Sequence, residues 1–284
     1  MAYFETQDGV ELFYTDWGTG KPVVLVHGWP LNSDMWEQQA TFLAEHGLRV
    51  IKYDRRGFGR SGQPWEGYGY DSFAADLNEV MEELDVTDAT LVGFSMGGGE
   101  VVRYLSEYGS ERVSKAVLIS AVTPYLLKTD DNPDGVDGKV FDDIETQIRK
   151  DRPAFLADFG KKFFGRTALK HTVSEPVLEW NQEMALTGSM RSTLAAAKAW
   201  STTDFRQDLK QVTVPTLVIH GDDDATVPKE VSGERAVKLL PNATLSIYKD
   251  APHGLFLTHA DQLNAELLRF IGGGTEPIST PVVA

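Results

Sequence analysis

The chain reads as an α/β protein: a mainly parallel, twisted sheet with flanking helices and a helical segment inserted between two core strands. Three observations lead there. Short continuous apolar runs recur at residues 23–26, 48–53, 89–92, 113–119 and 216–219, as expected of strands buried on both faces of a parallel sheet. Stretches with apolar residues at helical spacing lie between them. The resulting strand–helix–strand order repeats along the chain.

The first segment differs from the rest. Val10, Leu12, Tyr14 and Asp16, with Glu11, Phe13 and Thr15 between them, alternate in polarity and follow a turn at Asp8-Gly9, which predicts an antiparallel strand. A helix is expected over 35–46, stopping at Gly47. Another is expected over 72–84, with Phe73, Leu77, Val80, Met81 and Leu84 on one stripe, and a third over 96–108, ending at Gly109. A weaker strand is expected at 244–248. Between about 122 and 211 the alternation breaks. Pro124, a polar loop at 130–139 and helical segments carrying Phe141, Phe155, Phe159, Phe163, Phe164, Trp180 and Trp200 fill this stretch, which reads as a helical lid. The organisation expected is therefore a core of 1–121 with 212–271, a lid of 122–211, and a Gly-, Pro-, Ser- and Thr-rich tail of 272–284 expected to be disordered.

Composition narrows the function. Acidic residues number 42 and basic ones 27, a formal charge of −15; such a surface repels phosphate backbones and anionic lipid, so nucleic-acid and membrane partners are not expected. There is no cysteine, which excludes disulfides, thiolate metal sites and a thiol nucleophile. With no signal-like N-terminus and no apolar run near the length of a membrane span, a cytoplasmic protein is expected. The six histidines show no helix-face metal spacing, and no metal or cofactor is expected. Gly57-Phe58-Gly59-Arg60-Ser61-Gly62 matches a dinucleotide fingerprint, but Gln63-Pro64 follows where a phosphate-binding helix should begin. Asp130, Asn132 and Asp134 copy half a calcium loop, yet Phe141 stands where a bidentate Glu is needed.

The strongest signal is Gly93-Phe94-Ser95-Met96-Gly97, placed after an apolar strand and before a helix. Gly-x-Ser-x-Gly in that context is a nucleophile elbow: a tight turn lifts the hydroxyl above the sheet, and the flanking glycines let strand and helix approach. A serine hydroxyl needs a base. His253, in Asp250-Ala251-Pro252-His253-Gly254, follows the weaker strand. Three candidate carboxylates, Asp222, Asp223 and Asp224, follow the strand at 216–219. Both segments sit at C-terminal strand ends, where α/β folds place their sites.

With His27-Gly28-Trp29-Pro30, Asp54-Arg55-Arg56-Gly57-Phe58-Gly59-Arg60-Ser61, the Ser95 elbow, His220-Gly221-Asp222-x-Asp224-x-x-Val227-Pro228 and Pro252-His253-Gly254, residues 1–271 resemble the α/β-hydrolase superfamily. More narrowly, the chain is similar to the bacterial arylesterase, perhydrolase and cofactor-free haloperoxidase group. The resemblance implies an α/β-hydrolase fold, Ser95 as nucleophile, His253 as base, and Asp224, four residues before Pro228, as the acid. Asp222 is then a turn residue, Asp223 solvated and His220 structural. The implied oxyanion donors are the backbone N–H groups of Met96 and Trp29, with His27 and Gly28 shaping the loop. Implied substrate-pocket residues are Trp29, Val122, Leu126, Ile144, Phe159 and Phe163. Lys229 stands where the group carries an apolar residue.

The function expected is a serine hydrolase cleaving small aryl or alkyl esters through an acyl-enzyme. Perhydrolysis by hydrogen peroxide is the second activity the resemblance implies, and group members often form homo-oligomers; Pro30 restricts the residue before it and aims the Trp29 carbonyl, which is expected to help hold the peroxide. Two alternatives stay open: a lactonase or lactamase on the same triad, and a non-catalytic small-molecule-binding homologue.

Overall fold

A computed structural model describes residues 2–272. Eight strands form one sheet: β1 (Ala2–Glu5), β2 (Glu11–Trp17), β3 (Pro22–Val26), β4 (Arg49–Tyr53), β5 (Ala89–Phe94), β6 (Val113–Ile119), β7 (Thr216–Gly221) and β8 (Ala243–Tyr248). Their order is β1-β2-β4-β3-β5-β6-β7-β8. β2 runs antiparallel to both β1 and β4, and every other pairing is parallel.

The helices are α1 (Glu37–Glu45), α2 (Tyr70–Glu83), α3 (Met96–Glu107), α4 (Gly138–Phe163), α5 (Glu175–Leu186), α6 (Met190–Thr202), α7 (Asp208–Gln211), α8 (Gly233–Ala236), α9 (Leu255–Thr258) and α10 (Ala260–Gly272). α4 to α7 lie between β6 and β7. Among the described residues no helix is long and apolar enough to cross a membrane. The stretch 272–284, expected to be disordered, lies outside the described residues beyond Gly272.

The apolar runs divide their residues between the two faces of the sheet. Val24, Val26, Leu91 and Leu118 pack on one side with Phe73, Leu77 and Val101 of α2 and α3. Val23, Leu25, Val92 and Val117 pack on the other with Leu43, Leu263 and Leu267 of α1 and α10. Central β5 is buried along its whole length. β8 is the edge strand and leaves Leu245 and Ile247 more than a third exposed, which is why its sequence pattern is weaker.

The strand order reverses direction at β3 and β5, so the crevice at their C-terminal ends is the natural ligand position. The loop of Trp29 follows β3, Ser95 follows β5, Asp224 follows β7 and His253 follows β8. Four points distant in the sequence thus share one rim.

Candidate active site

Ser95 adopts φ 53° and ψ −116°, a conformation L-residues avoid and retain only where surroundings impose it. The restraints are visible. Its N–H donates to Ile119 O at 2.8 Å, and its carbonyl accepts from Gly98 N at 3.0 Å and Val122 N at 3.2 Å. Glycine is required on both sides. A Cβ on Gly93 would meet the Gly97 backbone, and one on Gly97 would come 2.8 Å from His27 O. Side chains there would push α3 off β5 and β3.

The turn presents Ser95 Oγ 3.0 Å from His253 Nε2. His253 Nδ1 lies 2.7 Å from Asp224 Oδ2, and the other carboxylate oxygen accepts from Thr226 N at 2.9 Å and Val227 N at 2.8 Å. These distances set the tautomer: Nδ1 carries the proton toward the carboxylate, so Nε2 is free to accept from the serine. Both rings of contact are buried, with the His253 and Asp224 side chains at 1% and 0% exposure. Burial alone would raise the Asp224 carboxyl. The charge that His253 can carry, with hydrogen bonding from His220 and His253, outweighs it and holds the group well below the ordinary carboxylate range.

The competing aspartates do other things. Asp222 accepts from Asp250 N at 2.6 Å, closing the turn between the two loops. Exposed Asp223 pairs with Lys170 at 3.1 Å. His259 faces Thr258 Oγ1 at 2.9 Å, outside the triad. His220 donates from Nε2 to Val227 O at 2.8 Å and is fully buried.

Among the described residues, the backbone N–H groups of Met96 and Trp29 have no intramolecular acceptor. Met96 opens α3, so its N–H is one of the unpaired donors of a helix start. Trp29 N–H belongs to the same peptide as Gly28 O, and a trans peptide points the two in opposite directions. Gly28 O is pinned by His27 Nδ1 at 3.0 Å and Leu31 N at 3.1 Å. Arg55 N donates to His27 Nε2 at 2.9 Å, which leaves the ring proton on Nδ1, facing that carbonyl. Burial first, and then the Arg55 charge, push His27 down to about 3, so the imidazole is neutral. Arg55 also donates to His27 O at 2.8 Å and to Glu100 Oε2 at 2.5 Å, and Tyr53 OH donates to Glu100. A fully buried ion pair thus holds the loop that aims Trp29 N–H. The Trp29–Pro30 peptide is cis.

The Gly57–Gly62 segment is a loop that belongs to the same scaffold. Asp54 accepts from Ser33 N at 2.9 Å and from Arg60 N and Nε at 2.8 and 2.7 Å, tying that loop to the start of the turn after Pro30.

A cavity of about 550 Å³ opens from Ser95 and His253. Trp29, Val122, Leu126, Ile144 and Phe159 line it. Phe163 does not: it is buried behind the histidine, its ring 4.9 Å from His253 and 5.9 Å from Phe94. Pattern reading also missed wall residues. Phe141 and Phe155 of α4, Trp200 of α6 and Val227 add to the apolar lining, with Val136, Val140 and Ala154 beside them. Trp29 packs edge-on to Phe159 at 5.3 Å and against Trp200 at 5.6 Å, and its Nε1 donates to Thr193 O at 2.9 Å. The charged side chains that reach the cavity, among them Asp143, Lys150 and Lys162, are exposed and form its rim. Lys229 turns away to Glu234 at 2.7 Å and Glu230 at 2.8 Å, leaving Thr226 and Val227 on that wall.

An alcohol, an imidazole and a carboxylate in line, beside two free amides at a switch point of a mostly parallel sheet, is the arrangement a serine hydrolase uses. A family model described as the alpha/beta hydrolase fold matches residues 21–260, and the chain belongs to that family. It is 45% identical to the bifunctional esterase/perhydrolase DCH of Acinetobacter calcoaceticus, over 95% of this chain and 99% of the relative. It is 42% identical to the non-heme chloroperoxidase CPO-A1 of Kitasatospora aureofaciens, with the same coverage. A bromoperoxidase crystal structure from Bacillus anthracis matches with a TM-score of 0.91 and 48% identity, covering 95% of this chain and 100% of that one.

Proposed function

We propose that the protein hydrolyses small carboxylic esters through an acyl-enzyme and transfers the same acyl group to hydrogen peroxide. The observation that carries this reading is the continuous chain Ser95 Oγ–His253–Asp224, at 3.0 and 2.7 Å. Ser95 Oγ attacks the acyl carbon while His253 Nε2 takes its proton. Trp29 N–H and Met96 N–H hold the oxyanion, each donor contributing about 3 kcal/mol at the transition state. The tetrahedral intermediate collapses, His253 returns the proton to the leaving alcohol, and the acyl group stays on Ser95. Asp224 keeps the imidazole in the tautomer that accepts from serine and stabilises the imidazolium.

Water then attacks the acyl-enzyme to give the acid, or hydrogen peroxide attacks to give the peracid, with His253 again taking the proton. The relatives named as esterase/perhydrolase and as non-heme haloperoxidases support both outcomes. Peracid oxidises halide in solution, so no cofactor enters. In this reading the Trp29 carbonyl accepts from peroxide, Pro30 fixes that carbonyl, and residues 122–211 act as a lid over the acyl group. Pro30→Leu then shifts the ratio of perhydrolysis to hydrolysis; an unchanged ratio removes the carbonyl from the account. A cytoplasmic location and a homo-oligomer belong to the same reading, tested by cell fractionation and light scattering.

The apolar walls and the exposed charged rim favour neutral acyl or aryl groups inside the cavity. The direct test is a panel of chromogenic esters of increasing acyl length, run with and without peroxide. Ester turnover with peroxide-dependent peracid formation is expected. Faster turnover of lactones or lactams than of any ester would replace this substrate class.

A further inference from the structure

His220 lies outside the triad and the oxyanion hole, yet it is fully buried at the C-terminal end of β7 and the acid loop wraps around it. Its Nε2 donates to Val227 O at 2.8 Å and lies 3.4 Å from Asp224 Oδ2. Its other nitrogen, Nδ1, is buried without a partner. That nitrogen sits against Gly233 at the start of α8, where an added Cβ would come to 2.7 Å, so the ring is wedged in one orientation. A phenyl ring would fill this space with no orphaned nitrogen. The sequence keeps an imidazole although an unpaired buried polar atom is unfavourable. What the imidazole adds over a phenyl ring is one N–H, and that N–H points at the acid loop.

The loop has two ends to hold. Asp224 Oδ1 is fixed by the amides of Thr226 and Val227. Oδ2, which faces His253, has no backbone donor. The Val227 peptide also supplies the pocket wall. A donor on Val227 O, 3.4 Å from Oδ2, therefore holds the residue whose own amide fixes Oδ1, and so places the loop and the carboxylate together.

We propose that His220, with a proton on Nε2 directed at the Val227 carbonyl, is a positioning residue that locks Val227 and the Asp224 carboxylate so that Oδ2 meets His253 Nδ1. This rests on the triad reading above. Without that N–H the Val227 carbonyl is unheld, so the residue whose own amide fixes Oδ1 can shift and carry the carboxylate with it, and misplacement of the base by about 1 Å costs on the order of a hundredfold. The aromatic walls supplied by Trp29, α4 and α6 are untouched.

The test compares the full-length enzyme with H220L and H220Q, since the glutamine amide can donate from near the Nε2 position. In H220L, kcat for an aryl acetate should fall about ten- to hundredfold with KM changed by less than about twofold, and the far-downfield proton of the His253–Asp224 hydrogen bond should be lost. H220Q should recover most of both. A folded H220L with wild-type kcat, or an H220Q as impaired as H220L, overturns the proposal. If neither variant folds, ¹⁵N shifts of the wild-type imidazole decide: a proton on Nε2 supports it, and a proton on Nδ1 overturns it. A wild-type enzyme with no esterase activity would instead overturn the triad reading itself.

Discussion

Removing the Ser95 hydroxyl leaves the elbow's backbone and both free amides in place. Ser95→Ala should therefore bind ester and lose about a thousandfold or more in kcat, with an unchanged melting temperature. Asp224→Asn places an amide against His253 Nδ1 and favours the wrong tautomer; steady-state kinetics should show a loss of about 10²- to 10⁴-fold. A fully active Asp224→Asn would move the acid role to Asp222 or Asp223. Glu100→Gln keeps the shape beside Tyr53 but strips the fully buried Arg55 of its counter-charge, and a broken buried pair costs about 3–5 kcal/mol, readable by urea denaturation. The meeting of Ser95, Asp224 and His253 was legible in the sequence because each lies in a short Gly- or Pro-bearing motif just after a strand. The Arg55–Glu100 pair was not. Its partners are 45 residues apart, on a loop and a helix, and no local pattern joins them.

At the scale of the element, α3 and α4 divide the work. α3 must lie close to β3 and β5, and its glycines permit that. In Gly97→Ala the new Cβ meets backbone at Val26 and His27, which cannot yield as a side chain can. Overpacking costs about 1–3 kcal/mol and displaces the loop carrying Trp29, so circular dichroism should show a lowered melting temperature and kinetics a lowered kcat. α4 shows what a pattern cannot supply. Asp151 breaks its helical geometry two residues before Pro153, as expected where proline clashes with the preceding turn. The break sets the rotation of the stretch that carries Phe155, Phe159 and Phe163 together. Phe155 and Phe159 then face the cavity while Phe163 turns behind His253. Spacing i, i+4, i+8 gives all three one stripe, and where along it the cavity ends depends on His253 packing against Phe163 from a distant loop. Trp200, on α6, reaches the wall only because α6 packs across α4. Trp200→Ala should enlarge the cavity and shift the acyl-length optimum upward in the ester panel.

For the whole molecule, the acidic balance and the buried titratable groups set the response to pH. His27 is held neutral, down at about 3, by burial and Arg55, against about 6.5 in an unfolded chain. The unfolded chain therefore binds more protons between those values, and stability falls as pH falls through that window. Asp224, held low, acts in the same sense: its contribution is present above the ordinary carboxylate range and is lost as pH drops further. Asp76, pushed up to about 7 by burial, acts in the opposite sense across the same window, so the His27 share is read as a difference: urea titrations from neutral to acid pH should lose less stability in His27→Gln than in the wild type, and an equal slope would remove His27 from the balance. The fold class was readable because buried parallel strands are continuous apolar runs. The meeting of four loops at one rim follows from strand order, which no single segment encodes.

The most direct measurement is covalent labelling with a fluorophosphonate, followed by mass spectrometry of the intact protein and its peptides. One adduct per chain, on Ser95, and much slower labelling of His253→Ala are the expected results. A folded wild-type protein that stays unlabelled, or that carries its adduct on another residue, would contradict the account.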